Sequence, residues 1–308
     1  MLKRFNVIIS KFSLVLLTFL IIACSQVPIT GRNQLILISE YQEVQLGLTA
    51  YNQVLSNEKI SSNKKYVDIV NRVGNKIAPE TEKNYNWQFT VIESPLVNAW
   101  CLPGGKIAFY EGILDIMENE AQVAVVMGHE IAHATARHGG ERISLGILAQ
   151  VGAVAVQIAM NDKDPAVQYA VFQAYIPAVT IGAILPFSRK QEYEADTMGM
   201  VYMARAGYDP REAISFWKIM LEVNKGKDRP PQWLSTHPIT ENRIKELESF
   251  LPEALEIYNA SDKSPNKNLR WNIYDIKWID TTIPTDTINP KIIFKKSLPM
   301  IGKTYPNL

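Results

Sequence analysis

The segment VAVVMGHEIAHATARH, Val123 to His138, constrains this chain more than any other stretch. It holds three of the four histidines in a chain of 308 residues. His129 and His133 are four residues apart, and residues at that spacing share one face of a helix, about 6 Å apart. If this segment is helical, both imidazoles can therefore reach one metal ion. The apolar residues around them predict that the helix is buried.

His129, Glu130 and His133 fit the pattern H-E-x-x-H, in which two histidines bind zinc and the glutamate acts as a general base. Zinc lowers the pKa of water that it binds to about 7, which provides a nucleophile at neutral pH. Glu130 follows the first ligand, where its carboxylate can take the proton of that water. The pentapeptide also fits an ordinary helix with two histidines, so the hypothesis requires a third ligand.

The nearest candidates for the third ligand are unfavourable. His138 lies about 140° around the helix from His133, so we expect it to support the site or to cap the helix. The extended pattern H-E-x-x-H-x-x-G-x-x-H requires glycine at 136 and histidine at 139. The chain has Ala136 and Gly139 instead, which excludes that class.

Glu192 and Asp196 are better placed to complete the site. Ser188 and Gln191 form a capping-box pattern, which predicts that a helix begins at Ser188. Glu192 and Asp196 then lie on one face, whereas Glu194 points about 200° away from Glu192. One carboxylate can bind the ion while the other orients a ligating imidazole. A solvated acidic face is the alternative.

His237 is the remaining histidine, in a predicted loop before a helix. The sequence leaves three roles open. His237 can help to hold the oxyanion of the reaction, occupy the open metal position at rest, or serve as a structural loop residue.

The rest of the chain predicts an α+β fold, mainly helical, with a small β-sheet beside the active-site helix. Net charge is +1, which gives no indication of nucleic-acid binding. The expected strands are 88–92, 98–101 and 106–110. The expected helices are 39–56, 63–78, 118–138, 188–206, 209–224 and 241–250.

Two apolar runs, Ser144 to Met160 and Ala166 to Leu185, follow the histidine helix. A membrane hairpin is one interpretation. Glutamines interrupt both runs, and neither reaches twenty clean apolar residues. We therefore expect two small-residue helices that are buried in the domain or cover its cleft.

The N-terminus predicts export. Basic residues precede the uncharged run FSLVLLTFLIIA, as in a signal peptide covering residues 1–23. Cys24 directly follows this run, and the arrangement resembles the lipobox of bacterial lipoproteins. The resemblance implies cleavage before Cys24 and its lipidation, whereas a plain signal peptide with a chance cysteine is the alternative. Ser25 is not the aspartate that retains some lipoproteins in the inner membrane. We expect a lipid-anchored protein of the cell envelope that faces the periplasm from the outer membrane.

Together the motifs resemble the gluzincin zinc metallopeptidase family of the CAAX prenyl protease and HtpX. The motifs are His129-Glu-x-x-His133, Glu192-x-x-x-Asp196 and Ser235-Thr-His237-Pro238, in that order. The N-terminus resembles the secreted lipoprotein branch, which includes the periplasmic protease that maintains outer-membrane barrel assembly.

The resemblance implies one zinc ion per chain, bound by His129, His133 and Glu192. It also implies roles for further residues: Glu130 as general base, Asp196 as the brace of a ligand, His237 as an active-site histidine, Asn98 and Ala99 on the strand that pairs with substrate, and Arg243 in a structural or site-closing role. The implied segments are a signal peptide (1–23), a lipidated tether (24–38), a zincin-type metallopeptidase domain (39–250) and a C-terminal extension of unknown structure (251–308).

The function expected from these residues is a zinc endopeptidase that cleaves misfolded or unassembled envelope proteins, with Glu130 as general base. The alternative is a catalytically latent, chaperone-like lipoprotein that uses the zinc fold as a binding scaffold. The expected partners are unfolded envelope proteins and a membrane reached through the lipid anchor, without nucleic acid.

Overall fold

The computed structural model describes residues 24–226 and 230–264. The predicted signal peptide and the chain after residue 264 lie outside the described residues. The strands are β1 (Cys24–Gln26), β2 (Asn33–Leu35), β3 (Gln88–Ile92), β4 (Ala99–Leu102) and β5 (Lys106–Tyr110). The α-helices are α1 (Glu40–Leu55), α2 (Lys64–Ile77), α3 (Glu111–Leu114), α4 (Glu120–Thr135), α5 (His138–Ala159), α6 (Pro165–Val179), α7 (Leu185–Arg205), α8 (Arg211–Asn224), α9 (Gln232–Thr236) and α10 (Glu241–Ala260). The predicted class, mainly helical α+β, is confirmed.

The first two helices begin where their capping residues predict. The side chain of Ser39 accepts a hydrogen bond from the backbone of Gln42, and the Gln42 side chain accepts one from the backbone of Ser39. This capping box satisfies two backbone donors at the start of α1. Asn63 caps α2 by accepting from the backbone N–H of Tyr66.

The predicted small sheet has the strand order β3-β5-β4. β3 is parallel to β5, and β4 is antiparallel to β5. The chain turns between β4 and β5 at Gly104 and Gly105, whose φ angles of 83° and 79° favour glycine. Within this sheet β4 is an edge strand, and it packs against α4 as predicted.

Helix α4 forms the centre of the core. All of its residues are buried, and its most extensive packing is against α7. The two helices approach closely where Gly128 faces Gly199. A Cβ atom on Gly128 would lie 2.6 Å from the carbonyl oxygen of Gly199. This contact brings the histidines of α4 close to the carboxylates of α7.

The predicted end of the histidine helix at His138 is wrong. α4 ends at Thr135, Arg137 adopts a left-handed φ of 57°, and α5 begins at His138. The guanidinium of Arg137 bonds to Glu43 and to the carbonyl of Ile38. These tertiary bonds stabilise a turn that local helical periodicity does not indicate.

The predicted start of a helix at Ser188 is also wrong. α7 begins at Leu185 and continues directly from a π-helical turn, Thr180–Ile184, that follows α6. The Gln191 amide donates to Glu141, 2.8 Å away, and its oxygen accepts from Arg142. The side chain that would form the capping box is therefore engaged in tertiary contacts.

The predicted tether, residues 24–38, belongs to the folded domain. β1 and β2 pair in antiparallel fashion, and the backbone N–H of Leu37 donates to Oγ of Ser144 on α5. Arg32 forms an ion pair with Glu141 on the same helix, 2.7 Å away. At the other end, the predicted boundary at residue 250 falls inside α10, which continues to Ala260.

The expected burial of the two apolar helices is contradicted. The buried residues of α5 all lie in its first two turns, and α6 has none. The two helices pack against each other as a hairpin, α5–α6, that leaves the rest of their apolar surface exposed. Apolar composition predicted helices buried in the domain or covering its cleft, but the described chain places no element over these surfaces.

We predict that Gly128→Ala lowers the free energy of unfolding by about 1–3 kcal/mol, because the added methyl group meets rigid backbone. The measurement is thermal or denaturant unfolding followed by circular dichroism. Gly146→Ala is the control, because its Cβ meets nothing within 4 Å and alanine favours a helix. Equal stability of the two variants would contradict the close contact of α4 with α7.

Candidate metal centre

Three of the predicted ligands come together in the core. His129 and His133 project from one face of α4, Glu192 projects from α7, and all three are buried. Nε2 of His129 lies 3.1 Å from Nε2 of His133. The Glu192 carboxylate lies 3.4 Å from the first of these nitrogens and 3.5 Å from the second.

His237 supplies a fourth donor atom to the same cluster. Its Nδ1 lies 3.1 Å from Nε2 of His129 and 3.0 Å from the Glu192 carboxylate. The donor atoms of His129, His133, Glu192 and His237 all lie within 4.8 Å of one another. Zinc binds imidazole at about 2.0–2.1 Å, so two donors of a tetrahedral site are about 3.4 Å apart. His129, His133 and Glu192 thus lie at about the separations of a tetrahedral zinc site, and His237 comes as close to His129 and Glu192.

Asp196 orients the first histidine. Its carboxylate accepts a hydrogen bond from Nδ1 of His129 over 3.0 Å, which leaves Nε2 to face the cluster. Arg243 holds Asp196 in turn through two hydrogen bonds of 2.7 Å. The guanidinium also lies over the ring of Trp217. Sequence resemblance gave Arg243 two alternative roles, and the structure shows that it braces Asp196.

A second chain of hydrogen bonds orients the other histidine. Nδ1 of His133 lies 2.8 Å from Nδ1 of His138, and Nε2 of His138 lies 3.0 Å from the Glu194 carboxylate. Because the carboxylate only accepts, Nε2–H of His138 donates to Glu194, and Nδ1 of His138 accepts a hydrogen bond from Nδ1–H of His133. Arg32 and Thr30 also donate to Glu194. The prediction that His138 supports the site is consistent with this geometry.

The supporting role of Glu194 was missed from the sequence. Glu194 lies on a different face of α7 from Glu192, and on that face its carboxylate points towards His138. Burial alone would raise the pKa of Glu194, but hydrogen bonds from His138, Arg32 and Thr30 lower it to about 2. This carboxylate is therefore ionised at neutral pH and can accept from the neutral imidazole.

The electrostatics of the donors suit a cation. Burial lowers the pKa of His133 well below its ordinary value, and the neighbouring histidines reinforce this direction. For Glu192, the nearby histidines outweigh burial and hold its pKa well below the ordinary value. Burial would also lower the pKa of His129, but hydrogen bonds with Asp196 and Glu192 raise it to about 9. Metal binding at His129 therefore displaces a proton and weakens in acid.

Glu130 lies beside the cluster with one carboxylate oxygen engaged. Oε1 of Glu130 accepts a hydrogen bond from the indole of Trp233 over 2.9 Å and lies 3.5 Å from His237. Glu130 is buried with only 2 % of its surface exposed. Trp233 was not singled out from the sequence, although it lies four residues before His237. The bond fixes the orientation of the carboxylate next to the donor atoms.

Asn98 and Ala99 lie at the start of the edge strand β4, but their side chains are buried. The Asn98 carbonyl accepts from the backbone N–H of Tyr110. Trp233 donates its backbone N–H to the carbonyl of Val97, which connects this end of β4 to helix α9, directly before His237. The side chains of Asn98 and Ala99 are therefore packed inside the domain rather than presented at its surface.

A metal held between two helices, with a carboxylate base beside it, is typical of metallopeptidases. The comparison with known proteins agrees. Residues 62–251 match Peptidase family M48, and the chain belongs to that family. The expected resemblance and the expected enzyme class, a metallopeptidase, are thereby confirmed.

Characterised relatives share this class. The chain is 33% identical over 240 residues to the mitochondrial metalloendopeptidase OMA1 of Schizosaccharomyces pombe, covering 77% of this chain and 69% of that protein. It is 30% identical to the human mitochondrial metalloendopeptidase OMA1, covering 84% of this chain but only 52% of the relative. It is 27% identical to the beta-barrel assembly-enhancing protease of Escherichia coli, covering 66% of this chain and 42% of that protein.

We predict that Asp196→Asn lowers zinc affinity by about 10- to 100-fold, because the amide binds the His129 N–H and Arg243 less well than the carboxylate does. The measurement is competition with a chromogenic chelator at fixed pH. Asp68→Asn is the control, because Asp68 lies on the surface and contacts only Lys64 among the ion pairs of the described chain. An unchanged affinity in Asp196→Asn would contradict the orienting role.

Proposed function

We propose that this protein is a zinc endopeptidase of the bacterial cell envelope that cleaves misfolded or unassembled proteins. The observation that carries the proposal is the buried set of metal-donor side chains within 4.8 Å of one another, with Glu130 beside His237 of that set. A purely structural metal site has no need for a carboxylate oriented next to it, whereas peptide hydrolysis requires a base at that position.

Different residues of the centre would bind the metal, act as the base and align the substrate. His129, His133 and Glu192 would hold zinc, which as a Lewis acid activates water and polarises the peptide carbonyl. Glu130, whose carboxylate the Trp233 indole orients, would take the proton of the attacking water. Glu130 then delivers this proton to the leaving amine. Edge strand β4 would align an extended substrate by backbone pairing near Asn98 and Ala99.

The envelope location rests on the N-terminal sequence. The signal-peptide pattern and Cys24 support export and a lipid anchor in the outer membrane, facing the periplasm. The Escherichia coli relative is named for barrel assembly, which supports substrates from the same compartment. The OMA1 relatives are mitochondrial by name, so the shared family supports peptide hydrolysis rather than one compartment.

The position of His237 supports a second candidate, a latent state of the same centre. Catalytic zinc sites keep one coordination position open, whereas four protein ligands close the site. Nδ1 of His237 lies among the donor atoms and would fill the fourth position. A protein locked in this state would act as a scaffold, as in the chaperone-like alternative. We propose instead that His237 blocks the enzyme at rest and moves away when substrate binds.

We predict that Glu130→Gln abolishes casein cleavage without loss of zinc, because the amide has no basic oxygen. The measurement compares purified full-length variants at equal zinc occupancy. Glu118→Gln serves as a control with the same chemical change at an exposed position and should retain full activity. Cleavage that persists in Glu130→Gln would exclude this residue as the base, and inactivity of the unchanged protein would favour the scaffold.

We predict that His237→Ala increases casein cleavage several-fold and weakens zinc binding, because the fourth donor is removed. The double variant His237→Ala, Glu130→Gln should be inactive, which would show that the gained activity uses the same base. A loss of about 10²- to 10³-fold with zinc retained would instead assign His237 to stabilisation of the oxyanion.

A further inference from the structure

The α5–α6 hairpin, residues 138–179, has the composition of a membrane segment. No charged residue occurs from Ile143 to Met160 or from Pro165 to Ser188. Among the described helices, α5 alone is long and apolar enough to cross a membrane, and only 6% of its most apolar 18-residue window is buried. Large apolar side chains are exposed along both segments, namely Leu148, Val151, Val154, Ile158, Val167, Tyr169, Ile176, Ile181 and Leu185.

A core position and a water-exposed position both fail to explain this surface. A helix that is apolar on all sides belongs either in a protein core or in a bilayer. α6 has no buried residue, so the described part of the chain does not provide a core for it. Exposure of so many contiguous apolar side chains to water is unfavourable, since each square ångström buried contributes about 25 cal/mol.

The length of the hairpin matches a bilayer. At the rise of an α-helix, Ile143 to Met160 extends about 27 Å and Pro165 to Leu185 about 32 Å, close to the hydrocarbon thickness of about 30 Å. Charged residues lie at both ends of these segments. Arg142, Arg189 and Lys190 are at the base, and Asp162, Lys163 and Asp164 are in the turn.

One hydrogen bond joins the two helices of the hairpin where they pack closely. The hydroxyl of Tyr175 donates to the carbonyl of Ala149 on the facing helix over 2.9 Å. Gly152 makes this approach possible, because a Cβ there would lie 2.2 Å from the same hydroxyl. Thr180, in the π-helical turn that follows α6, donates its hydroxyl to the carbonyl of Ile176 one turn earlier. Close packing at small residues and internal hydrogen bonds are what a hydrocarbon environment requires.

We propose that the α5–α6 hairpin inserts into a lipid bilayer, with the turn at residues 161–164 on the far side. The apolar surface of the hairpin would contact the hydrocarbon core of the membrane. The segment that follows β2 contacts the base of the hairpin, where the backbone N–H of Leu37 donates to Ser144, so a lipid on Cys24 would enter the same membrane. The insertion stands independently of catalysis.

Insertion would also place the metal centre next to the membrane surface. His138 contacts the ligand His133 and is the first residue of α5, about 8 Å along the helix from Ile143. If the proposed protease function holds, this position favours peptide segments that emerge from the bilayer over those far from it.

The test uses the full chain reconstituted into phosphatidylcholine–phosphatidylglycerol vesicles, with Cys24→Ser and Cys101→Ala to remove the native thiols. Ile158→Cys and Tyr41→Cys then carry a bimane label each. The two positions are matched, because Ile158 is 72% exposed on the hairpin and Tyr41 is 73% exposed on α1. Vesicles with or without doxyl-labelled lipid report contact with acyl chains, and iodide reports contact with water.

We expect doxyl lipid to quench the label at position 158 at least two-fold, with little effect of iodide, and the reverse pattern at position 41. Quenching by iodide alone at both positions would place the hairpin in water and overturn the proposal. A label at 158 that neither reagent quenches would indicate cover by a protein, such as a second copy, and would also overturn it. Failure of the chain to float with vesicles counts against insertion as well.

Discussion

The contact between α4 and α7 is the constraint on which the metal centre depends. Two glycines, Gly128 and Gly199, let the helix backbones approach more closely than any side chain would allow. The approach brings His129 and His133 within about one zinc coordination sphere of Glu192. A wider spacing would leave buried imidazoles and a buried carboxylate without partners, which is costly. The packing of α4 against α7 therefore also sets the spacing of the metal-binding residues.

Each histidine ligand is fixed by its own chain of hydrogen bonds. One chain leads from His129 through Asp196 to Arg243, which belongs to α10. The other leads from His133 through His138 and Glu194, and Arg32 connects it to the N-terminal strands. Segments far apart in sequence thus determine the orientation of the two imidazoles. Ligand orientation of this kind commonly accounts for a large part of metal affinity.

The same architecture relates the centre to its surroundings. α5 begins at His138, which contacts His133, and its later turns form one side of the exposed hairpin. One helix therefore connects the metal site to the proposed membrane segment. On the other side, helix α9, which ends directly before His237, is connected to the segment that enters β4 by the bond from Trp233 to Val97. In the proposed function, a peptide that pairs with β4 would lie near α9, which offers a route for substrate to open the site.

The sequence by itself predicted the candidate ligands, the candidate base and the local elements, because these predictions depend on short-range spacing and capping. The H-E-x-x-H spacing, the caps at Ser39 and Asn63, and the three central strands are all present as predicted. Tertiary structure alone decided the break at Arg137, the role of Glu194 and the exposure of the hairpin. The break at Arg137 and the role of Glu194 depend on ion pairs between residues far apart in sequence, which helical periodicity does not predict. Exposure was misjudged because apolar composition does not distinguish a protein core from a bilayer.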